Sequence, residues 1–271
     1  MLDLCMDILS HTFSGLAIGA TAIHFSNKDI KHKFLIVLVS GVAAFFPDLD
    51  VISYWSGFDS SIGEWFNLKD LGVNIYHQKR WYSHHGLFHS LFMAIVFCFF
   101  CVLISLFFNG WTTFKNRFRA NIPFYSSVFL AYLVHLFEDM PTPDFVWGGV
   151  AFMFPSMNYW GGTGHIWWWN NYDLFLIITF TFLMLLILGL IGKILKKSMK
   201  WIALSVFLTA TGAYLYQITN RKYDFNYTGF SEHHAKWHQN EEQSKKIQME
   251  ILGKDLYTII ERFDNSLPIW F

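Results

Sequence analysis

Histidine and aspartate form four clusters within or beside the apolar segments of this sequence. The clusters comprise His11, Asp48, Asp50, His84, His85, His89, His135 and Asp139. His135 and Asp139 are four residues apart, so on a helix both side chains lie on one face, about one turn apart. Ionisable side chains at membrane depth are costly and usually mark a function. Imidazole nitrogens with carboxylate oxygens suit zinc, manganese or iron, so the pattern predicts a metal site between helices.

The paired carboxylates define the chemistry that such a site could perform. An extended backbone through Asp48-Leu49-Asp50 would point both carboxylates in the same direction. Two carboxylates and several histidines could hold two metal ions and activate a water molecule near neutral pH. One carboxylate, for which we take Asp50, would bridge the metals or act as a general base.

Composition indicates what kind of scaffold carries these clusters. Of the 271 residues, 54% are hydrophobic, 20% are aromatic and only 15% are charged. A soluble domain has about 25% charged residues, and a transmembrane helix needs about 20 predominantly apolar residues. We predict an all-α, polytopic membrane bundle of about six apolar helices, at about 3–25, 33–46, 87–108, 123–140, 172–192 and 201–217. The net charge of zero argues against a nucleic-acid partner.

The distribution of basic residues predicts how the bundle is oriented. Connections 26–33, 109–122 and 193–200 hold three, three and four basic residues, which is ten of the 20 lysines and arginines. Cytoplasmic loops are enriched in basic residues, so these connections should face the cytoplasm. All four clusters then lie at the opposite, non-cytoplasmic ends of the helices. We therefore predict a multi-pass protein of the cell (inner) membrane with its active site on the non-cytoplasmic side.

The chain turns polar after Gln217, which predicts two regions. Residues 1–217 would form the membrane-embedded helical domain, and 218–271 a polar and amphipathic C-terminal tail. Within the tail, Glu241 to Phe263 has the charge and apolar pattern of one amphipathic helix that lies on the membrane or over the site.

The order of the motifs resembles that of the YdjM-type membrane-bound metal-dependent hydrolases. That family has an early histidine, Pro-Asp-x-Asp, His-Arg-Gly-x-Thr-His-Ser, and His-x-x-x-Asp followed by Thr-Pro. The resemblance covers residues 11 to about 155. It implies that the metal ligands or their immediate partners are His11, Asp48, Asp50, His84, His89, His135 and Asp139.

The same resemblance implies an activity and a cofactor. The ligand order is distantly similar to that of the zinc-dependent phospholipases C. We therefore expect a metal-dependent hydrolase that cleaves a phosphoester of a membrane lipid or lipid-linked substrate through a metal-activated water. Two zinc ions are the expected cofactor, with manganese and iron left open.

Three positions depart from the family pattern. His85 replaces the motif's arginine, Phe88 replaces its threonine, and Asp144-Phe145 replaces a glycine. If the arginine binds a phosphate oxygen, His85 would do so more weakly and with pH dependence. Helical spacing pairs His85 with His89, whereas the family pattern favours His84 as the ligand, so both alternatives stay open.

Two other functions fit parts of the pattern. A membrane di-iron oxygenase or desaturase uses histidine boxes, and HHxxxH occurs at His84-His85 with His89 and at His233-His234 with His238. That function would leave the aspartates without a role. A non-enzymatic metal-binding membrane protein would need only reversible binding. The sequence does not decide the role of the second histidine box.

Overall fold

The described part of the chain is helical and contains no β-strand. The computed structural model describes residues 8–109, 114–142, 148–166, 171–220 and 233–266, with only the backbone for 108–109 and 233–241. The ten α-helices found there are α1 (Ile8–Ala22), α2 (Ile30–Phe45), α3 (Gly72–His77), α4 (Leu91–Asn109), α5 (Phe114–Ala120), α6 (Ile122–Asp139), α7 (Tyr172–Leu195), α8 (Lys200–Thr219), α9 (His233–Leu252) and α10 (Lys254–Asp264).

Helices α1, α2 and α6 pack against one another at the centre of the bundle. Their shared buried cluster consists of Ile18, Ala43, Ala44, Val128 and Ala131. Small residues let the helix backbones approach closely: a Cβ atom added at Gly19 of α1 would lie 2.7 Å from Cα of Val37 of α2. Helix α7 packs on α1, α4 on α6, and α8 on α7. The helices that carry the clusters are thus the central ones.

The predicted membrane architecture is confirmed. Four helical stretches are long and apolar enough to cross a membrane, namely Ile8–Phe25, Ile30–Tyr54, Tyr172–Leu195 and Lys200–Thr219. Helices α5 and α6, bent by 60° between them, make a fifth candidate. The apolar helix Leu91–Phe107 is shorter than a full span. The described chain is therefore an all-α bundle with four or five candidate spans, where about six had been predicted.

Two segments at one end of the bundle differ from their predicted conformations. Asp48-Leu49-Asp50 is not extended but lies in a 3₁₀ segment, Phe46–Tyr54, that continues directly from α2. Pro47 fits this junction because its missing N–H ends the α-helical hydrogen bonds of α2 and its fixed φ still allows a helical turn. The helix predicted to begin near residue 87 begins only at Leu91, because Ser90 has an extended backbone that separates α4 from a short 3₁₀ turn at Leu87–His89. His85, before that turn, has a left-handed backbone with a φ of 65°. The helical i,i+4 argument for His85 and His89 therefore does not apply.

The C-terminal region forms two helices where one was predicted. Gly253, with a φ of 77°, separates α9 from α10. Tyr257 and Ile260 of α10 pack on Tyr172 and Phe175 at the start of α7, with Leu9 of α1 partly buried against them. Helix α10 thus lies at the end of the bundle where α1 and α7 begin. The division at residue 217 remains a prediction, and α8 extends past it to Thr219.

Candidate metal centre

The four predicted clusters meet in one buried site at one end of the bundle. His11 lies near the start of α1, and Asp48 and Asp50 lie in the 3₁₀ segment that follows α2. The three histidines at 84, 85 and 89 precede α4, and the pair at 135 and 139 lies at the end of α6. No member is more than 8% exposed. These members are His11, Asp48, Asp50, His84, His85, His89, His135 and Asp139.

The centre of the site is a group of two histidines and two aspartates. Asp48, His89, His135 and Asp139 each offer one ligand atom, and these four atoms lie within 4.8 Å of one another. His135 Nε2 lies 3.0 Å from Asp139 Oδ2 and 3.1 Å from His89 Nε2. Asp48 Oδ1 lies 3.5 Å from His135 Nε2 and 3.6 Å from His89 Nε2. This mixed nitrogen and oxygen set suits a divalent transition metal.

Asp50 lies behind two of the histidines and outside that four-residue group. Its Oδ1 atom is 2.7 Å from His84 Nδ1, and its Oδ2 atom is 3.2 Å from His89 Nδ1. A carboxylate in this position fixes the tautomer and the ring orientation of a metal-ligating histidine. The His84 ring also stacks on Tyr76, with ring centroids 4.8 Å apart. Asp50 thus connects the central group to His84.

His85 is held in the site by backbone contacts. Its Nδ1 atom donates to the carbonyl oxygen of Gly149 over 2.8 Å, because a carbonyl can only accept. The His85 carbonyl in turn accepts from the N–H of Ala151 at 2.9 Å. His85 Nε2 therefore carries a lone pair and lies 3.8 Å from Asp139 Oδ2. With His84 and His89 it forms a second group of potential ligands, so both predicted alternatives lie in the site.

Glu138 is a member of the site that the sequence analysis did not single out. Its Oε2 atom accepts from His11 Nδ1 at 2.7 Å, and its Oε1 atom accepts from the hydroxyl of Ser14. These contacts leave His11 Nε2 directed at Asp139 Oδ1, 3.3 Å away. Glu138 is 4% exposed. It therefore positions the imidazole of His11 in the same manner in which Asp50 positions His84.

Comparison with known proteins places this site in a family. The model of the YdjM inner membrane protein family matches residues 6–222. The chain belongs to the YdjM family. No curated protein and no solved structure matches the chain. The YdjM match spans every member of the site, and together with the apolar helices it supports a multi-pass inner membrane protein.

The departures from the YdjM-type motifs have different structural contexts. His85 occupies a buried position in the site, as described above. The carbonyl oxygen of Phe88 accepts from the hydroxyl of Tyr132 at 2.6 Å, a backbone contact that does not depend on the side chain at 88. Asp144-Phe145 lies outside the described residues, as do the side chains of the second histidine box at His233, His234 and His238.

The charges of the site fit a bound cation. In the described part of the chain, the ion-pair partners of the buried carboxylates Asp48, Asp50, Glu138 and Asp139 are all histidines. Burial lowers the pKa of His89, but the aspartates outweigh this effect and raise it to about 10. Burial and the neighbouring histidines instead hold the pKa of His85 well below its usual value. Histidine must be neutral to bind a metal, so a bound divalent cation would supply the positive charge that these carboxylates need.

Unpartnered polar atoms support the same conclusion. Five buried side-chain atoms of the site make no hydrogen bond, and they are Asp48 Oδ2, Asp50 Oδ2, His89 Nδ1, His135 Nδ1 and Asp139 Oδ2. Asp50 Oδ2 and Asp139 Oδ2 lie 3.2 Å and 3.0 Å from a histidine nitrogen, but not in hydrogen-bonding geometry. Buried polar groups are almost always hydrogen-bonded, and an unmet one often marks an ion or a water. Asp48 and Asp139 belong to the central group, so a divalent metal there would satisfy oxygen atoms that the protein leaves unpaired.

Proposed function

We propose that this protein is a membrane-bound metal-dependent hydrolase that cleaves a phosphoester of a lipid or lipid-linked substrate. The observation that carries the proposal is the convergence of Asp48, His89, His135 and Asp139 within 4.8 Å, in a buried site whose carboxylates have no lysine or arginine partner among the described residues. The motif resemblance to hydrolases supports the reaction class. The membrane bundle supports a lipid as the substrate.

The central group, which includes His89, would hold the first metal ion, and His84 and His85 would contribute to a second. A bound divalent metal supplies a Lewis acid that polarises a phosphoryl oxygen and lowers the pKa of bound water. Asp50 and Glu138 act behind this layer, where they fix the imidazoles of His84 and His11. Asp50 is thus better placed as a positioning residue than as the general base expected from the sequence.

The role that we propose for His85 also differs from the phosphate binding considered in the sequence analysis. Because its Nδ1 proton is donated to Gly149, a neutral His85 presents a lone pair at Nε2 and cannot donate a hydrogen bond to phosphate there. The low pKa of His85 favours this neutral form. His85 is therefore suited to bind metal or accept a proton. We therefore do not assign to His85 the phosphate contact considered for the arginine of the family motif.

The experiment that tests this function uses purified full-length protein in detergent, loaded with zinc or manganese. Release of phosphate or phosphorylated headgroup is measured from mixed phospholipid micelles, and metal per chain is determined by mass spectrometry on the same samples. We expect wild-type protein to retain near-stoichiometric metal and to turn over lipid. His135→Ala and Asp48→Ala should lose both, because each removes a ligand of the central group.

His77→Ala is the matched control, since His77 lies outside the site and contacts the carbonyl oxygen of Val73. It should keep both metal and activity. If the His135→Ala variant eluted as folded protein and hydrolysed lipid at the wild-type rate, the site assignment would be refuted. Metal binding without any phosphoester turnover would instead favour a non-enzymatic metal-binding protein. Stoichiometric iron in the protein as purified, before zinc or manganese is added, would favour the oxygenase.

A further inference from the structure

A second site lies at the opposite end of the helices. A cleft of about 390 Å³ opens between the start of α2, the end of α4, α5 and the start of α6. Its lining residues are Lys28, His32, Leu35, Cys101, Ile104, Ser105, Arg117, Asn121, Phe124 and Tyr125. None of them belongs to the metal centre.

Helix α6 sets the separation between the cleft and the metal centre. Asn121 precedes the first turn of α6, and Asp139 is the last residue of the helix. Eighteen residues at a rise of 1.5 Å each span roughly 27 Å, which is close to the thickness of the bilayer hydrocarbon core. The cleft and the metal centre therefore lie near opposite surfaces of the membrane.

The cleft has an excess of positive charge. Lys28 and Arg117 contribute two cations, whereas none of the described lining residues is acidic. The nearby carboxylate of Asp29 caps α2, where its Oδ1 atom accepts from the backbone N–H of His32 at 2.9 Å, and the two cations outnumber this single negative charge. The charge of this surface fits an anion.

The cleft also has an apolar lining. Leu35, Ile104 and Phe124 supply apolar surface, which a small inorganic anion would not use. Asn121 lines the same cleft, its Oδ1 atom is buried without a hydrogen-bond partner, and its side chain does not cap α6. Asn121 Oδ1 can therefore accept a hydrogen bond from a headgroup hydroxyl, beside the uncapped start of α6, where an anion is favoured.

We propose that this cleft binds an anionic phospholipid. The phosphate would lie between Lys28 and Arg117, a headgroup hydroxyl would donate to Asn121 Oδ1, and the first carbons of the acyl chains would contact Leu35, Ile104 and Phe124. Basic pockets between membrane helices bind anionic lipid headgroups in this way. The site goes beyond the proposed hydrolase, since it shares no residue with the metal centre and needs no metal.

The test counts lipids retained by the detergent-purified full-length protein in native mass spectrometry. Phosphatidylglycerol is titrated against phosphatidylcholine for wild type and for the double variant Lys28→Gln/Arg117→Gln. The control variant Lys115→Gln/Arg119→Gln removes the same charge from exposed positions on α5 that do not line the cleft. We expect wild type and control to prefer phosphatidylglycerol, and the cleft variant to bind it about thirtyfold more weakly.

Three results would overturn the proposal. The first is equal retention of the two lipids by wild type. The second is retention of phosphatidylglycerol by the cleft variant at the level of the control. The third is displacement of the lipid by soluble glycerol phosphate at equal concentration, which would make the cleft a site for soluble anions. His135→Ala should retain phosphatidylglycerol like wild type, so the outcome does not depend on whether the proposed hydrolase function is correct.

Discussion

At the scale of single residues, the site is built in two layers. The inner layer contains the side chains that can bind metal, and the outer layer consists of groups that hold their rings. Glu138 and Asp50 each contact an imidazole Nδ1 atom at 2.7 Å, and the carbonyl of Gly149 does so at 2.8 Å. Outer partners of this type tune metal affinity because they fix ring orientation and ligand basicity.

Glu138→Gln should weaken metal binding without unfolding the protein. Glutamine keeps the size of the side chain but removes the charge that orients His11, and loss of such a partner typically costs about 10- to 100-fold in metal affinity. The measurement is a zinc titration in competition with a chromogenic chelator. Asp264→Asn is the matched control, because Asp264 is a buried carboxylate that accepts from the Tyr172 hydroxyl at 2.7 Å, outside the metal centre.

A Glu138→Gln protein with wild-type zinc affinity would show that the His11–Glu138 contact is only structural. An equal loss in Asp264→Asn would point to general destabilisation as the cause. Conversion of Ser14 to alanine removes only one donor to Glu138, so its effect should lie between wild type and Glu138→Gln.

The sequence predicted the inner layer better than the outer layer. The i,i+4 spacing of His135 and Asp139 is realised on α6, with the two side chains in contact. Glu138 could not be predicted in the same way, since its partner His11 is 127 residues away and adjacent carboxylates on a helix point in different directions. Gly149 acts through its backbone carbonyl, which every residue type possesses. Asp50 is the exception in the outer layer, because its motif with Asp48 singled it out, although as a ligand or base. Metal-binding side chains thus have a motif signal, whereas Glu138 and the Gly149 carbonyl have none.

At the scale of secondary-structure elements, the close contact between α1 and α2 brings His11 near the aspartates that follow α2. Gly15 and Gly19 make one face of α1 flat, and a Cβ atom at Gly15 would overlap the backbone carbonyl of Ser40. This Gly-x-x-x-Gly spacing is a known signal for close helix packing in membranes. The sequence contains that signal, and it is independent of the histidine and aspartate motifs.

Gly19→Val should separate α1 from α2 and thereby lower both stability and metal content. Overpacking of a well-packed interior costs about 1–3 kcal/mol, and the added Cβ would already lie 2.7 Å from Val37 Cα. Thermal unfolding in detergent measures the first effect, and metal per chain measures the second. Gly212→Val on α8 is the control, since a Cβ atom there meets nothing within 4 Å. If both variants melted at the same temperature, the close packing of α1 on α2 would not be what assembles the site.

The conformations of the connecting segments were the least predictable part of the fold. The pattern Asp48-Leu49-Asp50 was interpreted as extended, yet it continues α2 as a 3₁₀ segment. Three residues of alternating polarity are too few to distinguish an extended segment from a 3₁₀ segment. Packing against the neighbouring elements decides between the two conformations. The long apolar segments were predictable, since hydrophobicity over about 20 residues determines a membrane helix almost independently of its neighbours.

At the scale of the whole molecule, the two ends of the bundle carry opposite chemistry. The metal centre contains four buried carboxylates, and the basic connections lie at the other end of the same helices. By the positive-inside rule, the basic end should face the cytoplasm and the metal centre the opposite side. This orientation would expose the proposed hydrolase to substrates of the outer leaflet and place the proposed lipid cleft at the inner leaflet.

Single cysteines at the two ends would determine this orientation. The background variant has Cys5, Cys98 and Cys101 replaced by alanine. In it, Ser156→Cys marks the metal end of the bundle, and Lys197→Cys marks the connection between α7 and α8. Both positions are exposed. A membrane-impermeant maleimide added to spheroplasts should label only the first variant, because only that thiol would face the outside. After detergent permeabilisation, both variants should react to the same extent, which controls for thiol accessibility. Labelling of Lys197→Cys in intact spheroplasts would contradict the predicted orientation and place the metal centre on the cytoplasmic side.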